Sequence, residues 1–293
     1  MRDAPRKMEK TGASRLSGFM RILAIIAGLY ALWIFLLSVA FETLVYPFSQ
    51  DPWPGAGFEI VPVAAQDGVI LPVGVRDAGP GSRTVLVFVG NVGSRIYFGD
   101  MYAPALAEGV SVIAAPYRGA EGVAGPRDEA VFRADALTVF DAIPELLGRA
   151  APDVLVQGYS MGTGLAMEVA ARRDTGGLIL IAPFARLCEI MAQRTLVPAC
   201  LLPWIDHWDS LSLTAMLDEP VLVVHGMADT LISFGQGEEL ADAVEEYGHL
   251  AELLSVPRAT HFDILRFPEV SARIRSALRD GLAPGTFDAG TDR

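Results

Sequence analysis

The order of apolar and polar positions divides the chain into one uninterrupted apolar run near the N-terminus and a longer region of short apolar runs. From Ile22 to Phe41 no charged residue occurs, which predicts a helix able to cross a hydrocarbon layer of about 30 Å. A core helix of a globular domain interleaves polar positions with apolar ones, and this stretch does not. Ser38 and Ala40 supply small residues of the kind a signal peptidase uses, yet the run is longer than the ~7–15 residues of a cleavable signal, so the expectation is an uncleaved anchor over 22–41. Residues 42–57 hold Pro47, Pro52, Pro54, Gly55 and Gly57 among aromatic residues, which predicts a stiff linker before a folded domain over 58–282.

Within that domain, Phe58 to Ala65 and Val69 to Arg76 flank Gln66-Asp67-Gly68 and predict a hairpin. From Thr84 the pattern changes. Thr84 to Val89, Val110 to Ala115, Val154 to Gly158, Leu178 to Ala182, Val221 to His225 and Leu253 to Val256 are continuous apolar runs, as expected of strands covered on both faces. Between them, Asp128 to Leu147, Gly162 to Arg172, Gln236 to Tyr247 and Glu269 to Leu282 carry apolar positions at spacings of three and four, the helical period. The alternation implies one α/β domain with a mostly parallel central sheet and helices on both faces. Residues 183–219 leave room for a reduced cap only, and 283–293 are expected to form a flexible tail.

Composition narrows the functional classes. A chain of 293 residues, 52% hydrophobic and 20% charged, is globular rather than disordered, and the anchor accounts for its positive mean hydropathy. Arg2, Arg6, Lys7, Lys10, Arg15 and Arg21 make residues 1–21 a basic tail, and the next basic residue is Arg76. By the positive-inside rule the N-terminus is cytoplasmic and the body extracytoplasmic, either periplasmic or outside. The whole chain carries −12 with no lysine beyond Lys10, so no nucleic-acid partner is expected. Cys188 and Cys200 have no Cys or His neighbours at metal spacing, so no structural metal is expected; whether they pair is open.

The chemistry is carried by Gly158-Tyr159-Ser160-Met161-Gly162, a G-x-S-x-G between a predicted strand and a predicted helix. So tight a turn excludes side chains on its flanks and forces the serine into a strained backbone that exposes its hydroxyl. A glycine-rich turn without chemistry is the alternative, but an acid and a histidine follow in the order such a site requires. Asp229 ends the segment Val221 to Asp229, where a strand delivers a carboxylate at the sheet's C-terminal edge; Asp206 and Asp209 follow no strand. His261 lies after the last strand, whereas His225 sits at a strand end bracing the acid loop, and His207 and His249 fit worse. Backbone N–H groups of Met161 and of Asn91 or Val92, in Gly90-Asn91-Val92-Gly93, are the expected oxyanion donors, with Asn91 taken first.

With these motifs the chain resembles the α/β-hydrolases of the membrane-anchored lysophospholipase-like or monoacylglycerol-lipase-like branch, also described as serine aminopeptidase-like. The resemblance spans roughly Phe58 to Leu282. Pro116-Tyr117-Arg118-Gly119 with Gly122 and Gly125 is similar to the family's D-Y-R-G loop, with Pro116 in place of Asp, and His225-Gly226-x-x-Asp229 is similar to its acid motif. Val89 stands where the family has the His of H-G-N, so the support of that loop must differ.

The resemblance implies an α/β-hydrolase fold and a Ser160-His261-Asp229 triad that cleaves carboxylic esters or thioesters, with no metal or organic cofactor. The expected substrate is a small-molecule acyl or lipid-like compound bound near Gly90, Val92, Tyr159, Leu187 and Trp204, and the membrane is the expected partner of the N-terminal helix. A serine peptidase of the same fold and a non-catalytic scaffold are the alternatives. Apolar side chains of the cap, Leu187 to Trp208, either form an acyl groove, dip toward a bilayer or pack over the sheet.

Overall fold

The computed structural model describes residues 10–55, 57–151 and 153–282; the start of the basic tail and the expected flexible tail at 283–293 lie outside them. Two compact units divide the chain between Leu44 and Val45. The first is helix α1 (Lys10–Val45), whose stretch Gly18–Val45 is apolar and long enough to cross a membrane. The helix outruns the predicted 22–41 because nothing breaks it until Pro47, which disfavours helical backbone at Tyr46 before it.

The second unit is an α/β body. Among the described residues its sheet has eight strands in the order β1 (Glu59–Ala64), β2 (Ile70–Arg76), β4 (Ser111–Ala114), β3 (Thr84–Phe88), β5 (Leu155–Tyr159), β6 (Gly177–Ile181), β7 (Val221–Gly226) and β8 (Ala251–Val256). The hairpin β1–β2 and the β2–β4 pair are antiparallel, and all other pairs are parallel. Strands β3 to β7 are buried along their whole length, as continuous apolar runs require. Helices α2 (Gly99–Ala107), α3 (Glu129–Asp141), the single turn α4 (Ile143–Leu146), α5 (Met161–Ala170), α6 (Leu187–Thr195), α7 (Phe234–Glu246) and α8 (Pro268–Asp280) complete the body. Periodicity did not predict α2, which is short and carries Pro104 inside it, and the expected helix over 128–147 is broken at Ala142 ahead of Pro144.

Part of the segment expected to form a stiff linker is packed. Among the described residues between Val45 and β1 there is no regular structure, yet Tyr46 is fully buried and Phe48 nearly so. Their rings meet Phe132 edge-on and tilted, with centroids 5.3 and 5.7 Å away. The proline and glycine content explains the irregular path, and the aromatic residues explain why that path adheres to the body.

The reduced cap is α6 with short 3-10 turns at Ala199–Leu201 and Leu211–Met216, and a Cys188–Cys200 disulfide ties the first two together. Its apolar residues divide into buried and exposed ones. Trp208 is fully buried, against Gly164 of α5, where an added Cβ would lie 2.6 Å from the indole. Leu201 and Trp204 are exposed, and Leu187 is half-buried at the start of α6.

Candidate active site

Register within the sheet assembles the site. Phe88 of β3 pairs with Gly158 of β5, so the loop after β3 lies beside the turn after β5. Gly226 of β7 pairs with Val256 of β8, which puts the loops after those strands side by side on the same sheet edge. They are also stitched: Met227 N–H donates to Val256 O at 3.0 Å and Ala228 N–H to Ala259 O at 3.1 Å.

The turn after β5 has the strain its sequence implied. Ser160 adopts φ 52° and ψ −120°, in the left-handed half of the map where a side chain is costly. A Cβ on Gly158 would lie 2.4 Å from Gly162 O, and one on Gly162 only 2.3 Å from Phe88 O. Both flanks are therefore closed to any side chain. Helix α5 starts at Met161, all ten of its residues are buried, and its N-terminus points positive backbone dipoles at the serine.

Three side chains predicted from motif order are brought together. Ser160 Oγ lies 3.0 Å from His261 Nε2, and His261 Nδ1 lies 2.7 Å from Asp229 Oδ2. All three residues are nearly buried. Burial opposes ionisation of Asp229, but the nearby His225 ring and the hydrogen bond and charge of a protonated His261 outweigh it and hold the carboxyl well below the usual carboxylate range. An ionised carboxylate can only accept, so Nδ1 carries a proton, and in the neutral form of the ring the Nε2 lone pair faces the serine hydroxyl. Asp229 Oδ1 accepts from Leu231 and Ile232 N–H, each at 2.8 Å, which fixes the carboxylate plane.

His225 occupies the bracing place expected of it. Its Nε2 is 3.0 Å from Ile232 O in the acid loop and 3.6 Å from Asp229 Oδ2. Asp206 instead accepts from the Tyr46 hydroxyl and the Glu129 N–H, Asp209 accepts from Ser212 N–H, and His207 Nε2 meets Leu202 O.

The N–H groups of Met161 and Asn91 have no hydrogen-bond acceptor among the described residues. Gly90 is buried under Tyr159 and Phe98, and Val92 is half-buried. Tyr159, expected beside substrate, is buried; its hydroxyl donates to His261 O and its ring lies 5.3 Å from the imidazole. It thus links the serine turn to the histidine loop. That tie joins residues 102 positions apart, and no local pattern announces it.

No family model matches the chain. The uncharacterized protein Rv2307c of Mycobacterium tuberculosis is 30% identical to it over 224 residues, covering 69% of this chain and 75% of that protein. The alpha/beta hydrolase domain-containing protein aho-3 of Caenorhabditis elegans is 26% identical over 67% of this chain and 58% of its own length. Among solved structures, an esterase of Pyrococcus furiosus, Pf2001, superposes with a TM-score of 0.67 at 19% identity, covering 81% of this chain and 99% of the esterase.

Proposed function

The chain belongs to the α/β-hydrolase superfamily, and from that premise we propose that it is a serine hydrolase of carboxylic esters acting through Ser160, His261 and Asp229. The observation that carries the reading is the continuous hydrogen-bonded line from Asp229 through His261 to a serine held in a strained turn. The esterase fold of Pf2001 and the hydrolase name of aho-3 support it.

In this reading His261 Nε2 takes the hydroxyl proton as Ser160 Oγ attacks the acyl carbonyl. Asp229 holds the imidazole tautomer and stabilises the imidazolium that forms. The carbonyl oxygen becomes an oxyanion facing the Met161 and Asn91 N–H groups, which have no acceptor among the described residues. Collapse of the intermediate breaks the ester bond, and the imidazolium returns its proton to the departing alcohol. Water, losing a proton to the same imidazole, then attacks the acyl-enzyme and releases the acid.

The helix Gly18–Val45 supports a membrane anchor, and with it a lipid-like acyl substrate. The basic residues before that helix and the Cys188–Cys200 disulfide support an extracytoplasmic body, where oxidised cysteines persist.

The test is fluorophosphonate labelling of the detergent-solubilised protein, followed by a panel of acyl esters. Wild type labels, Ser160→Ala does not, and Asp229→Asn and His261→Ala label much more slowly. A folded wild type that neither labels nor hydrolyses any ester would refute the assignment.

A further inference from the structure

We propose that residues 45–53 form a strap that positions the loop Gly90–Ser94, and thereby the Asn91 N–H; this rests on the reading of that N–H as an oxyanion donor. Within the loop itself the described backbone makes one hydrogen bond, Gly93 N–H to Gly90 O at 3.0 Å. Further hydrogen bonds come from the strap. Asn91 Nδ2 donates to Val45 O at 3.1 Å, and Ser49 N–H donates to Val92 O at 2.9 Å. Phe48 fills the space over Gly93, whose φ is +70° and where an added Cβ would lie 2.6 Å from the phenyl ring.

On its other side the strap is gripped by the loop at 119–122. Glu121 N–H donates to Ser49 O at 3.0 Å, and Gln50 Nε2 donates to Gly119 O at 2.7 Å. The ring closes through a buried ion pair, in which the Glu121 carboxylate accepts from the Arg95 guanidinium at 2.6 Å and from the Arg95 N–H at 2.5 Å. Val89 has no polar side chain with which to brace the loop, so its support is supplied from outside: by the Tyr117 hydroxyl, which donates to Val89 O at 2.8 Å, and by the strap. An oxyanion donor acts only if it is already in place when charge develops. The strap provides that placement, and its first residue is the last residue of α1.

The experiment uses the full chain in detergent and compares Phe48→Ala and Asn91→Ala with Phe48→Leu and Ser49→Ala. The last keeps the N–H that Val92 O accepts. Turnover of a p-nitrophenyl ester is measured per active site, counted by fluorophosphonate labelling taken to completion, so misfolded molecules do not contribute. Inhibition by a trifluoromethyl ketone is measured alongside, because its adduct with Ser160 carries the oxyanion.

Loss of one oxyanion donor costs about 10²–10³-fold in kcat, so a displaced donor should cost about tenfold or more. Phe48→Ala and Asn91→Ala are expected to lower kcat by that factor with little change in KM, and to weaken the ketone by the factor lost in kcat/KM. Phe48→Leu should restore most of the loss, and Ser49→Ala should match wild type. Unchanged kcat per labelled site would overturn the proposal, as would a fall in kcat with ketone affinity intact. A wild type that neither labels nor turns over would overturn the reading of the site itself and this proposal with it.

Discussion

Replacing Gly162 by alanine tests whether the turn after β5 is closed as tightly as its geometry says. The added Cβ would lie 2.3 Å from Phe88 O, 2.7 Å from Phe88 C and 2.8 Å from Val89 O. Ordinary carbon-to-oxygen contacts begin near ~3.3 Å, so the strand end must retreat by about 1 Å. It is not free to do so, because Phe88 is held in the β3–β5 ladder opposite Gly158. Overpacking of this kind costs about 1–3 kcal/mol of stability. The larger effect falls on reaction, since Phe88 and Val89 lead directly into Gly90 and Asn91. A 1 Å displacement of a positioned group costs about 10²-fold in rate.

The assay is the rate of fluorophosphonate labelling and of ester turnover, with thermal unfolding measured in parallel. Gly235→Ala serves as the control, because nothing lies within 4 Å of its added Cβ in α7; it should leave activity intact and raise stability by about 0.4–1 kcal/mol. A Gly162→Ala protein that reacts at the wild-type rate would refute the argument from close approach.

Asp229→Asn should lower kcat by about 10⁴-fold while the protein stays folded, because the amide no longer selects the productive imidazole tautomer; a loss under tenfold in steady-state turnover would contradict this. Removing the Cys188–Cys200 bridge by the paired change to serine frees a link between residues 12 apart and should cost about 2–4 kcal/mol in thermal or denaturant unfolding, with no change in stability as the contrary result. Burial pushes the phenols of Tyr102, Tyr117 and Tyr159 well above their ordinary value of 10.0. Since the unfolded phenols ionise first, their stabilising contribution is complete below pH 10 and is lost as pH rises beyond it; tyrosinate absorbance should therefore appear together with unfolding, and ionisation of all phenols in the folded protein near pH 10 would contradict it.

Much of the fold and the candidate site was legible in the order of residues. Continuous apolar runs marked β3 to β7 because strands covered on both faces need them, and the glycines at 158 and 162 announced a turn that excludes side chains. Ser160, Asp229 and His261 could be picked out because each follows a strand run, and parallel strands deliver their following loops to one edge. What periodicity hid were elements held by packing alone, such as α2, with Pro104 inside it.

Tertiary structure alone decided which residues support the site. Tyr159, read from the sequence as a substrate contact, is tied to His261 O, and the proline-rich segment after Val45, read as a linker, is packed against the loops beside it. The cysteine pair was likewise undecided until α6 and its following turn brought Cys188 and Cys200 to a Cα separation of 5.0 Å. The sequence by itself determined periodicity and local turn chemistry, which act over a few residues. The pairings of Asn91 with Val45 and of Tyr46 with Asp206 span 46 and 160 positions, and only the folded sheet and the layers packed on it bring such partners within reach.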